Sequence, residues 1–491
     1  MSTINLLEIK PDDHIKIIGA DDLRLDELPE LVYPDPADAE KRTYASTVLR
    51  SPLSDPENIV HRREIARDFI SSEGLLKKLE DISKDAREYR NKWQEETKQL
   101  IAKRYQEGAA VADSASDLHG KFEMARLNLS KFLELSDRLK ELIDMLASST
   151  LYAEGLLEFK ETCIKLYASF AFSDVPRARK MLSADPDDFT VELLLGLNEN
   201  LSVESVDLNM LYTQKDSEKP AGASAGAQSA GRCSICSDVN ASELMPMLGY
   251  ALDSLGDRTV ESCEQLLTLF RELSSELRFY RFCLDLCDAL EKAGAHFMFP
   301  QVTEAETAVT SVIGLRDPLD VLSGKDYGVT HDILLTPERS GIVVTGPGGV
   351  GKTALLRSVC TAQILTQCGL PVICFDASLS VRSGIFVCFT DVSDPNKDLL
   401  KRFESEAQAI AKIIDSLMPY ALVALNELFE TVNFADASDA LYNIFSVMTQ
   451  HNIAFFATTH MPRLAERFIE VDRITVMSMS EKSRLETVGS R

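Results

Sequence analysis

The chain has 491 residues, 45% of them apolar and 26% charged, and carries a formal net charge of −25. That length allows roughly two to four domains around sizeable cores, and the acidic field opposes a surface that grips DNA through many phosphates, leaving DNA contact to a local patch or a partner. No apolar run reaches the ~18 residues of a membrane span, the N-terminus has no basic leader, and ten scattered cysteines suit reduced thiols, so a cytoplasmic protein with no membrane contact is expected.

Residues 1–40 are acidic and hold four prolines, which reads as a partly ordered lead-in. Turns follow at Ser51-Pro52 and Asp55-Pro56; the second opens a helix, with Asp55 as N-cap and Pro56 at the first helical position. From Glu57 to Asn200 apolar residues recur at helical steps, as in Leu75, Leu76, Leu79 and Ile82, then Leu127, Leu129, Phe132 and Leu133. Breakers are sparse, so these helices are long. Asp85 to Gln106 alternates basic and acidic residues, which suits a solvated helix surface better than a DNA-binding face. Leu201 to Thr213 alternates and suggests one or two short strands. Residues 214–242 are rich in Ala, Gly and Ser and read as a flexible loop carrying Cys233 and Cys236, a lone CxxC that argues only weakly for zinc. Cys283 and Cys287 lie one helical turn apart and suit a core. Helix resumes from Glu243 to about Ala295.

After Pro300 the character changes to short apolar runs between turns: Val309–Leu315, Ile342–Val344, Val372–Phe375, Ile385–Phe389, Ala421–Leu425, Ile453–Ala457 and Ile474–Met477. This is the pattern of an α/β domain. The tail from Ser480 is polar and reads as frayed. The expected fold is multi-domain: a lead-in over 1–40, a long-helix, all-α domain over 41–300, and an α/β nucleotide domain over 301–491.

The stretch GPGGVGKT, Gly346 to Thr353, has the G-x-x-x-x-G-K-[ST] spacing of a P-loop, between the β-branched run Ile342–Val344 and a helix-forming run. Four glycines let main-chain N–H groups turn inward around phosphate oxygens ahead of the helix. Gly346, Pro347, Gly348, Gly349, Val350, Gly351, Lys352, Thr353 and Ala354 would therefore cradle ATP, with Lys352 on the β/γ-phosphates and Thr353 on Mg²⁺. Downstream, the apolar run Ala421–Leu425 ends in Asn426-Glu427, and Phe455–Thr459 ends in His460. In ABC-type ATPases the first of these strands ends in Asp-Glu, the Asp supporting Mg²⁺ through water and the Glu activating the attacking water; the second ends in a histidine that senses the γ-phosphate. Here Asn426 keeps an acceptor oxygen without the charge, while Glu427 and His460 remain. A solvated strand end and a turn histidine are the plainer alternatives.

Taken in this order, these segments resemble the MutS family of ABC-type ATPases, in particular its short members without a mismatch-reading domain. Arg316-Asp317-Pro318 resembles the family's entry to its ATPase domain, and Leu425–Glu427 and Thr458–His460 its later motifs. Val48–Ile70 and Glu276–Gly294 resemble the start and return of its lever domain. Three features depart from the family: no mismatch-reading or clamp domain is evident, no helix-turn-helix follows the last strand, and the signature Ser-Thr-Phe-x-x-Glu stands as Lys401-Arg402-Phe403-Glu404-Ser405-Glu406. The resemblance implies an ATPase, slow because of Asn426 and Lys401, that forms a homo- or heterodimer through its ATPase domains and moves lever arms on branched or mismatched DNA during repair or recombination. Separately from the resemblance, Tyr327 or a nearby residue is a candidate to stack on adenine. The alternative is an ATP-gated, essentially non-hydrolysing module that acts on a protein partner.

Overall fold

A computed structural model describes residues 4–72, 74–106, 114–169, 189–197, 203–213, 241–325, 328–389, 399–429, 434–469, 471, 473–480 and 484–488. The first half holds a short strand, Lys16–Ile18 (β1), and the helices Glu27–Val32 (α1), Ala39–Leu49 (α2), Pro56–Ser71 (α3), Leu75–Ser83 (α4), Ala86–Gln106 (α5), Ser114–Ser148 (α6) and Glu154–Ser169 (α7). A hairpin, Phe189–Leu197 (β2) with Val203–Thr213 (β3), precedes the 52-residue helix Ala241–Lys292 (α8). Then come Gln301–Thr303 (β4), Thr310–Leu315 (β5), Pro318–Leu322 (α9), His331–Leu335 (β6), Gly341–Thr345 (β7), Lys352–Cys368 (α10), Asp376–Ser380 (β8) and Gly384–Phe389 (β9). Leu399–Ile414 (α11), Leu422–Asn426 (β10), Phe434–Gln450 (α12), Ala454–Thr459 (β11), Pro462–Ile469 (α13), Ile474–Met479 (β12) and Leu485–Thr487 (β13) complete the chain.

Two compact units account for these elements. One comprises Met1–Ile4, Gly74–Leu151 and Leu156–Leu277; the other comprises Asn5–Glu73, Tyr152–Gly155 and Arg278–Arg491. The first is built from long helices. In α4 the residues Leu75, Leu76, Leu79 and Ile82 are all buried, as their spacing requires of one helical face. Between α5 and α6 the Trp93 indole donates to Asn128 Oδ1 at 3.2 Å and Lys131 meets Glu96 at 2.8 Å. The residues of α5 from Arg87 to Lys92 are exposed except for the half-buried Tyr89, and Arg90 pairs with Glu264 of α8. This is the solvated surface that the alternating charges predict.

The second unit carries a seven-stranded sheet in the order β1-β9-β10-β11-β7-β12-β13, parallel except for the β12–β13 pair, and a four-stranded sheet in the order β4-β8-β5-β6. In β7, Gly341 to Val344 are fully buried between parallel neighbours on both sides. Such a strand needs an unbroken apolar run rather than alternation. Gly341 is glycine for a packing reason: a Cβ there would lie 2.2 Å from the Phe455 ring, which itself stacks on Phe445 at 4.6 Å. The far end of α10 is tied to the turn before α3, where Gln367 Nε2 donates to Leu53 O at 2.7 Å. Asp55 caps α3 through the Glu57 N–H with Pro56 behind it, as the sequence predicts.

Several elements differ from the sequence reading. The lead-in supplies β1, which pairs in parallel with Gly384–Phe386, a three-residue strand whose partner lies across the chain. Phe189–Leu197, within a stretch read as helical, is a strand paired with β3; its leucines fit either period, and the pairing decides. Val372–Phe375 contributes only a single bridge, between Val372 and Met298, and the strand begins at Asp376. In the tail, Leu485–Thr487 pairs with Met477–Met479 instead of fraying. Cys233, Cys236, Tyr327 and the side chain of Lys401 lie outside the described residues. The described cysteines are free, buried thiols, and among the described residues no helix is long and apolar enough to cross a membrane.

Asp317 gives this unit a measurable pH signature. It caps α9, with Oδ1 accepting the Leu319 N–H at 2.8 Å, while its buried Oδ2 has no partner among the described residues. Burial pushes the carboxyl from 3.8 up to about 6. A raised carboxyl contributes stability that is complete below about pH 4 and is lost as pH rises to about 6. Asp317→Asn, neutral throughout and still a good cap, should therefore gain on the wild type by roughly 2–3 kcal/mol between pH 4 and 7. Urea unfolding of the two proteins across that range should show the curves separating and then running parallel.

Candidate nucleotide site

At the C-terminal end of β7 the chain leaves the sheet through Gly346–Gly351, and α10 starts at Lys352. Two glycines there have no substitute. Gly346 has φ +151°, and a Cβ would stand 2.4 Å from the Met479 carbonyl oxygen; Gly351 has φ +102° at the N-cap of α10. Gly351 brings no capping side chain, so the first turn of α10 presents main-chain N–H groups with the positive end of the helix dipole behind them.

Lys352 is only 4% exposed. Its Nζ donates to Pro347 O at 2.9 Å and Gly346 O at 3.2 Å, and stands 3.4 Å from Glu427 Oε1. His460 Nε2 lies 2.7 Å from the same carboxylate oxygen and 3.3 Å from Lys352 Nζ. A ring nitrogen at hydrogen-bond distance from a carboxylate carries the proton, so Nε2–H donates to Glu427 and has no lone pair for the ammonium. The lysine charge is thus met by a carboxylate and two carbonyls, which a buried cation requires.

Beside this cluster, Thr353 Oγ1 donates to Asn426 Oδ1 at 3.1 Å and Thr458 Oγ1 donates to the same oxygen at 2.8 Å. Glu427 N–H is shared between Thr458 O and Thr458 Oγ1, both at 3.2 Å. Glu427 and Phe429 have φ of +53° and +59°, a region that residues with a side chain rarely occupy. The turn is held at its far side by buried Glu406 of α11, whose Oε2 accepts the Phe429 N–H at 2.9 Å.

The structure therefore brings Lys352, Thr353, Asn426, Glu427 and His460 together at the C-terminal ends of β7, β10 and β11, next to the glycine loop. Sequence reasoning missed the parts of Thr458 and Glu406. Both fall inside segments it had marked, but their bonds are to residues far along the chain, and no spacing rule reports those.

The donor set bears on a metal. Among the described residues no group of three His, Cys, Asp or Glu is placed to hold an ion. Thr353 gives its proton to Asn426 and keeps its lone pairs, so it fits as a single hydroxyl ligand for Mg²⁺ in company with phosphate oxygens and water.

Residues 54–293 match the MutS2 N-terminal domain family, and residues 342–489 match MutS domain V. The chain is a MutS-related protein. It is 24% identical to an endonuclease MutS2 of Lactococcus lactis subsp. cremoris over 72% of this chain and 44% of the relative. An endonuclease MutS2 of Streptococcus gordonii is 30% identical over 36% of this chain and 22% of the relative. That of Lactococcus lactis subsp. lactis is 27% identical over 46% and 30%. The MutS-related chain thus spans less than half the length of these curated relatives, and within it the glycine loop and the Asn426–Glu427 and Thr458–His460 strand ends all fall in domain V.

With one hydroxyl and a neutral amide as donors, the nucleotide-free site should not retain Mg²⁺ by itself. Calorimetric titration of millimolar Mg²⁺ should give the same heats for the wild type and Thr353→Ala.

Proposed function

We propose that this MutS-related chain binds ATP with Mg²⁺ at Gly346–Ala354 and hydrolyses it slowly. The observation that carries the reading is the convergence of Lys352, Glu427, His460 and the Thr353–Asn426 pair on one glycine loop at the C-terminal ends of parallel strands, where open α/β sheets place their ligands. On this reading the loop amides and the start of α10 take the phosphates, and Lys352 exchanges the Gly346 and Pro347 carbonyls for β/γ-phosphate oxygens. Mg²⁺ would be held by the Thr353 hydroxyl and, through water, by Asn426, and supplies charge neutralisation at the phosphates.

Glu427 accepts a proton from a water whose oxygen attacks the γ-phosphorus; the bond from that phosphorus to the β,γ-bridging oxygen breaks, releasing ADP and phosphate. His460, already against Glu427, is placed to register whether a γ-phosphate is present. Asn426 supplies no negative charge, and Lys401 stands where the family has a serine, so turnover is slow. ATP binding joins two such α/β regions, in a homo- or heterodimer, and drives the helical region as a lever on branched or mismatched duplex. With a net charge of −25, DNA contact is confined to a local basic surface or a partner. Adenine stacking at Tyr327 belongs to the same reading.

The neutral Asn426 and the closed Lys352–Glu427 pair also support a second reading, an ATP-gated module that scarcely hydrolyses and acts on a protein. Phosphate release separates the two. Glu427→Gln should keep ATP binding and lose turnover by roughly 10²- to 10⁴-fold, and Lys352→Ala should lose both. A wild type no faster than Lys352→Ala rules out the ATPase. Retention on branched or mismatched duplex at ~0.1 M salt, with and without ATP, tests the DNA arm, and failure in every nucleotide state favours the protein partner.

A further inference from the structure

We propose that Glu406 is a positioning residue for the hydrolysis suggested above, holding the turn after β10 in the conformation that presents Glu427. The inference rests on the ATPase reading. In α11 the residues Phe403, Glu406, Ile410 and Ile413 recur at three- and four-residue steps and so share one helical face. That face packs into the core with Val423, Leu425 and Leu428. Glu406 is the charged member of the stripe, yet it is only 6% exposed. A carboxylate inside a protein costs free energy unless donors meet it, so its place in an apolar stripe calls for a physical reason.

The turn supplies that reason. Beyond the end of β10 at Asn426, Glu427 and Phe429 both take left-handed φ, while Leu428 and Phe429 are buried. Phe429 lies outside the strand ladder, and its N–H donates instead to Glu406 Oε2 at 2.9 Å. On the same face of α11, the Phe403 ring lies 5.6 Å from the Phe429 ring, tilted by 54°. The helix thus holds Phe429 twice, through its main chain and through its side chain. Without the carboxylate a buried N–H loses its acceptor. The turn then shifts to meet that N–H and takes Glu427, two residues away, with it. Lys352 and His460 steady the Glu427 carboxylate in the site as it stands. On the reading above Lys352 moves to the phosphates, so the turn has a larger share in aiming Glu427 once nucleotide is bound.

Two variants separate the acceptor from the charge and from packing. Glu406→Gln keeps a side-chain oxygen for the Phe429 N–H and loses the charge; Glu406→Met keeps the length, completes the apolar stripe and brings no comparable acceptor. In the whole chain, Glu406→Met should lower kcat for Mg²⁺-dependent ATP hydrolysis about 10- to 100-fold, as a misplaced base does, and leave ATP affinity by calorimetry within about twofold. Glu406→Gln should stay within about threefold of the wild type in both. Should Glu406→Met not fold, Phe403→Leu carries the same test through the other hold on Phe429. There, kcat lowered about 3- to 10-fold at unchanged ATP affinity supports the proposal, and unchanged kcat overturns it.

A Glu406→Gln protein as slow as Glu406→Met would mean that the charge acts, not the hydrogen bond to the turn, and overturns the proposal. ATP affinity lost in step with kcat in Glu406→Met would mean a merely structural role and overturns it too. Unchanged kcat in Glu406→Met overturns it while leaving the ATPase reading intact. A wild type with no turnover above Lys352→Ala overturns both.

Discussion

Everything at this site depends on the register of three parallel strands. Asn426 sits beside Thr458, Thr458 beside Val344 and Thr459 beside Thr345, so the ends of β10, β11 and β7 finish level with one another. A one-residue slip would turn each side chain to the opposite face of the sheet. Thr458 would lose Asn426, and Glu427 would leave Lys352. What prevents the slip is apolar burial. Val343, Val423, Leu425 and Phe455 are each at most 1% exposed, and the Phe455 ring fills the space that a side chain on Gly341 would take. The core thus sets the geometry of the polar residues at its rim.

Those polar residues satisfy one another. Lys352, Glu427 and His460 form a compact charge cluster, and Thr353, Asn426 and Thr458 share a single acceptor oxygen. Buried polar groups demand this, because an unmet cation or carboxylate at this depth would cost several kcal/mol. The consequence for any anionic ligand is an exchange rather than a simple addition. Lys352 has to give up the Gly346 and Pro347 carbonyls, and Glu427 has to part from the ammonium. Affinity for a phosphate chain would be the difference between two well-satisfied states.

Backbone strain is concentrated at the same place. Glu427 and Phe429 both adopt positive φ without being glycine, and each has its N–H held by a side chain from elsewhere, Thr458 for one and Glu406 for the other. Such conformations persist only where the surroundings over-determine them. Glu406 belongs to α11, the helix that carries the signature-like segment, so whatever shifts α11 also bears on the turn that presents Glu427.

The order of chemistry-bearing segments was legible from residues alone, since glycines ahead of Lys352-Thr353, an apolar run ending in Asn-Glu and another ending in Thr-His are local patterns with local causes. The helical first half was equally legible, because a 3.6-residue period and the Asp55-Pro56 cap act over a single turn. The short strand at Lys16–Ile18, the pairing of Phe189–Leu197, the start of β8 at Asp376 and the strand in the tail were not, since three to nine residues of mixed pattern become strand only when a partner, near or far along the chain, supplies the hydrogen bonds. The same divide runs through the site. Composition and spacing determined which residue types stand at Lys352, Asn426, Glu427 and His460. Only the tertiary structure decided that Thr458 bonds the Asn426 side chain and that Glu406 holds the turn, because a hydrogen bond between residues far apart in the chain exists only once packing has brought them within 3 Å or so.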